Sequence, residues 1–65
     1  MQNLSEIHLT DGRTAEQYLS KIKDPADRYW ATEGIWECLR RNWPIHILHI
    51  ESLGRKLRRQ SMRQD

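Results

Sequence analysis

The chain has two prolines, Pro25 and Pro44, and their places limit it more than any other feature. Pro44 disfavours a helical conformation for Trp43 and removes an amide donor, so the chain must bend or break at "NWPI". Pro25 follows Asp24, a capping residue type, and suits the first position of a helix because it has no amide hydrogen to leave unpaired. Together they predict a helix running from Asp24-Pro25 to about Trp43, and a separate element beyond Pro44.

Upstream, Thr14 is followed three residues later by Gln17, the spacing of a capping box. Ala15, Tyr18, Leu19 and Ile22 then recur at helical intervals, which predicts a first short helix over residues 14–23. Residues 1–13 read as an extended arm or short edge strand with a turn at Asp11-Gly12. In the last segment, His46, Ile47, Ile50, Leu53 and Leu57 form an apolar stripe, with Arg55, Lys56, Arg58 and Arg59 on its flanks and back. That is a basic amphipathic third helix over residues 45–61. A strand of β-branched residues is the competing reading of "PIHILHI", but the alternation is imperfect. Gly54 lowers helix propensity and marks a candidate close contact.

The expected fold is therefore all-α: a single small domain over residues 1–65, with helices two and three forming a hairpin bent at Trp43-Pro44. An N-terminal arm covers residues 1–13 and a frayed end residues 62–65. On the second helix, Tyr29, Ala31, Ile35, Trp36, Leu39 and Trp43 fall on one broad face of about 160°, with Cys38 at its margin. Tyr29, Trp36 and Trp43 are spaced by seven, so Trp36 and Trp43 are expected in the core. Trp30 departs from this seam and projects among Glu33, Gly34 and Glu37.

A chain of 65 residues buries only a modest share of its surface, which favours self-association. The single cysteine, Cys38, excludes an intramolecular disulfide and fits a reducing, cytoplasmic setting. No apolar run is long enough to span a bilayer, and the N-terminus lacks the basic-then-apolar order of a signal peptide. An apolar stripe needed for so small a core also argues against a membrane-surface helix.

Catalysis, metal and cofactor are not expected. Cys38, His46 and His49, with His8 as a fourth, are the only soft metal-ligand set, and the gap across Pro44 matches no familiar zinc spacing. A Cys-His nucleophile pair would need a pKa-lowering partner and an oxyanion site. Glu33 and Glu37 share a helix face, but with Arg40 and Arg41 beside them they read as a solvated charged surface.

Two features point to binding. Residues 1–38 carry a net charge of −3 and residues 39–65 a net charge of +5. Trp, Tyr and Arg, the residue types that dominate interface energetics, concentrate in "RYWATEGIWECLRRNW". The sequence is thus read as a non-enzymatic regulatory or adaptor protein, homo-oligomeric and in contact with another protein through Trp30, Gly34 and Arg41. Its basic third helix steers the partner. The alternative is a small DNA- or RNA-binding regulator whose Arg55, Lys56, Arg58, Arg59 and Arg63 contact phosphates. In size, lack of disulfides and lack of an enzyme motif, the composition is similar to that of accessory proteins encoded by bacteriophages and mobile elements.

Overall fold

A computed structural model describes residues 3–63, with side chains over residues 3–62. A single 3-10 turn, Leu4–Glu6, precedes three α-helices: α1 at Ala15–Ser20, α2 at Pro25–Arg40 and α3 at Ile47–Arg63. The described residues contain no named strand, and the domain is all-α. No helix among them is long and apolar enough to cross a membrane.

The helix starts follow their local chemistry. At α1 the Thr14 hydroxyl accepts from the Gln17 amide while the Gln17 side chain accepts from the Thr14 amide, each at 3.1 Å. At α2 the Asp24 carboxylate accepts from the Ala26 amide at 2.9 Å, with Pro25 at the first helical position. The α1 helix is shorter than expected, closing at Ser20.

Helix α2 ends at Arg40 and stops short of Trp43. Asn42 takes a left-handed conformation, φ 58°, and its amide donates to the Leu39 carbonyl at 3.1 Å. The Trp43 amide donates to the Cys38 carbonyl at 2.9 Å. This paired closure satisfies the last carbonyls and turns the chain before Pro44 arrives. At the start of α3, His46 serves as the cap: its Nδ1 accepts from the Leu48 amide at 3.1 Å. It was expected in the apolar stripe but is exposed. Met62 and residue 63, expected to fray, are helical, and residues 64–65 lie outside the described residues.

The turn expected at Asp11-Gly12 forms, but the arm around it does not stay extended. It folds back as a tight turn, with an isolated bridge between His8 and Thr14. The Leu9 amide donates to the Arg13 carbonyl and the Ala15 amide to that of Ile7, each at 2.8 Å, while the Thr10 amide donates to the Ile45 carbonyl at 3.0 Å. Gly12, φ 93°, supplies the left-handed residue of the turn. This pins Ile7 and Leu9 into the core.

Helices α2 and α3 run antiparallel: Gly34 meets Ile50, Trp30 meets Gly54, and Asp27 meets Arg58. The buried face of α2 is Ala31, Gly34, Ile35 and Cys38, packed on Ile50 and Leu53 of α3 and on Ala15 and Leu19 of α1. The aromatic seam does not form the core. Tyr29 is 56%, Trp36 36% and Trp43 42% exposed. The small residues bring the two helix backbones together, and large rings have no room at such a crossing. Burial therefore shifts around α2 towards Gly34, and the rings remain at the surface.

Candidate functional site

The antiparallel register sets Trp30 of α2 beside Gly54 of α3, whose missing side chain lets the two backbones close together, and a groove opens alongside this contact. Ala31 and Ile50 continue its floor, and Tyr18 and Ile22 form the opposite wall. The result is an open groove of about 550 Å³. The Trp30 ring is braced edge-on by Tyr29, with centroids 4.8 Å apart. Arg55 and Arg58 stand on the rim with Glu51 and Asp27. Arg58 Nη1 lies 3.6 Å from Asp27 Oδ1, both side chains largely in solvent, a pairing weak enough for a competing carboxylate to displace. Burial pushes the Tyr18 hydroxyl above the usual phenol range, and the Glu51 charge adds to this.

The expected contact residues therefore separate. Trp30, Arg55 and Arg58 converge on one groove. Lys56 and Arg59 face a second, smaller depression of about 380 Å³, shared with Ser52 and Gln60. The Arg63 side chain lies outside the described residues. Gly34 is buried against the Ile50 backbone and offers no surface to a partner, which corrects its reading as an interface residue.

Arg41 stands elsewhere, at the end of α2. Its Nε is 2.7 Å from Glu37 Oε2, and its guanidinium lies 5.1 Å from the Trp43 ring centroid. Trp43 in turn meets His49, whose Nδ1 donates to the Pro44 carbonyl at 3.0 Å. Hydrogen bonds from Arg40, then Arg41, hold the Glu37 carboxyl below the usual carboxylate range. Among the described residues, no three His, Cys, Asp or Glu side chains gather as a metal ion would need.

Comparison with protein-family models, with curated proteins and with solved structures found no match. The site is thus read from its own geometry. Sequence reasoning missed the wall residues Tyr18 and Ile22, the acids Asp27 and Glu51, and Ser52 and Gln60 of the second depression. Of these, only Tyr18 and Ile22 left a trace, since both belong to the apolar pattern at helical intervals that starts at Ala15, although Ile22 lies just past the end of α1.

Proposed function

We propose that this chain is a small non-enzymatic adaptor that acts by protein–protein contact in a reducing, cytoplasmic setting, its groove receiving an apolar segment flanked by carboxylates. The observation that carries this reading is the convergence of Trp30, Arg55 and Arg58 on one open groove floored by Ala31 and Ile50. A half-buried tryptophan beside two arginines supplies the residue types that contribute most at interfaces. Arginines on the rim add directional pairing with carboxylates and favour encounter with an acidic partner. The acids beside them, Asp27 and Glu51, are exposed to water rather than desolvated as general acid-base groups commonly are. So small a core also leaves room for stabilisation by a second copy, and the partner segment can come from another protein or from this one.

Selection from a displayed peptide library tests the proposal directly and samples many candidate segments at once. Enriched peptides should share an aromatic or aliphatic anchor with Asp or Glu within a helical turn of it. Trp30→Ala and the Arg55→Gln/Arg58→Gln pair should each weaken binding by about tenfold or more, as expected for central interface residues. Sedimentation at several concentrations reports whether a second copy is the occupant. Enriched peptides that bind these folded variants as tightly as wild type would refute the assignment.

A further inference from the structure

We infer that the outward side of α3, centred on Ser52, Lys56 and Arg59, is a phosphate-contact stripe for a nucleic-acid duplex, separate from the groove. The helix turns by about 100° per residue, so its buried positions, Ile50, Leu53 and Gly54, set which side faces out. Ser52 and Arg59 fall roughly opposite that side and Lys56 nearer its flank, with position 63 between them in register. Lys56 and Arg59 are exposed. They take part in none of the ion pairs among the described residues, whereas Arg58 is engaged by Asp27.

From Ser52 to Arg63 the sequence has five basic residues and no acidic one. At a rise of about 1.5 Å per residue the stripe runs about 16 Å. A duplex carries one negative charge per about 1.7 Å of axis, so each cation on the stripe meets phosphate without a neighbouring carboxylate to oppose it. The neutral donors Ser52 and Gln60 border the same depression, and hydroxyls and amides of this kind commonly contact phosphate oxygens. A helix about 10–12 Å across also matches the width of the major groove.

Two other occupants fit less well. A membrane surface needs a continuous apolar face, but Ile50 and Leu53 are committed to the core and the exposed Leu48 and Met62 stand near opposite ends of α3. Single strands are held by stacking on aromatic rings, and α3 has no Trp, Tyr or Phe.

The test is fluorescence anisotropy of a labelled mixed-sequence DNA duplex titrated with the full chain at several salt concentrations. Wild type should bind in the micromolar range, with log affinity falling against log salt at a slope of about −2 to −3 for two or three phosphate contacts. Lys56→Gln/Arg59→Gln should weaken binding by about tenfold or more and flatten the slope by about two units. The charge-matched control Lys21→Gln/Arg40→Gln should stay within about twofold if position rather than net charge governs binding. Trp30→Ala should bind the duplex as wild type does, which separates this stripe from the proposed groove. Equal losses in the two double variants, tighter binding of a single strand, or tighter binding of polyglutamate than of the duplex would each overturn the inference. So would absence of duplex binding at low salt.

Discussion

Gly34 on α2 and Gly54 on α3 lie where two helix backbones touch. A methyl group on Gly34 would sit 2.5 Å from the Ile50 carbonyl oxygen and 3.3 Å from the Gly54 nitrogen. One on Gly54 would sit 2.8 Å from the Trp30 carbonyl oxygen. Alanine gains about 1 kcal/mol of helix propensity over glycine. Here the obstruction is backbone, which cannot rotate aside, so the helices must separate and loosen Ile35 and Ile50. Overpacking of this kind costs about 1–3 kcal/mol. Gly34→Ala should therefore destabilise, and by more than Gly54→Ala, in urea titration. The double variant should cost less than the sum of the two, since one separation relieves both clashes.

What the sequence shows most clearly is local. The Thr14/Gln17 box and the Asp24-Pro25 start each depend on a few adjacent residues and form as read, while the break comes earlier than Pro44 alone predicts, at the left-handed Asn42. The buried side of α2 depends on a partner distant in sequence. Ala31, Gly34 and Cys38 give little hydrophobic signal, while Tyr29 and Trp36 give much, so periodicity finds Ala31 and Ile35 but centres the face too far towards the rings. Likewise Trp30 and Arg58 stand out singly, but only the antiparallel register puts them in one groove. Tyr29→Ala and Ile35→Ala, compared by thermal melting, test this assignment. Ile35 is 0% exposed, and truncating such a residue costs about 2–5 kcal/mol. Tyr29→Ala should cost under about 1 kcal/mol, as an exposed position does. Equal losses would return the aromatic seam to the core.

His46 is exposed, yet its ring caps α3 through the Leu48 amide. His46→Ala should cost about 1 kcal/mol, the usual loss on removing a helix cap. His46→Asn restores a short acceptor at the same position and should recover most of it. Chemical denaturation measures both. If alanine and asparagine are equally tolerated, the imidazole contributes nothing as a cap.

Cys38 is fully enclosed, and burial, helped by the Glu37 charge, pushes its thiol above the ordinary range. Only the thiolate reacts readily, so alkylation of the native protein should be slow and limited by transient opening. Gly34→Ala should accelerate it by loosening the neighbouring crossing, whereas Trp30→Ala should change it less. Alkylation as fast in the native protein as in denaturant would show that Cys38 is not enclosed.

Glu37 gives a prediction with a definite sign. Arg40, then Arg41, hold its carboxyl below the usual range, so the unfolded chain binds the proton more readily than the native one. The contribution is full above the ordinary glutamate value and is lost as pH falls through the lower, native value. The stability difference between wild type and Glu37→Gln should therefore be greatest near neutrality and shrink steadily on acidification through that window. Asp11, held low chiefly by its Arg13 side-chain hydrogen bond, titrates in both proteins and cancels in the difference. The Arg40 guanidinium stands mostly in solvent, so added salt should reduce the gap. A gap unchanged by both pH and salt would mean that Glu37 acts through packing, not charge.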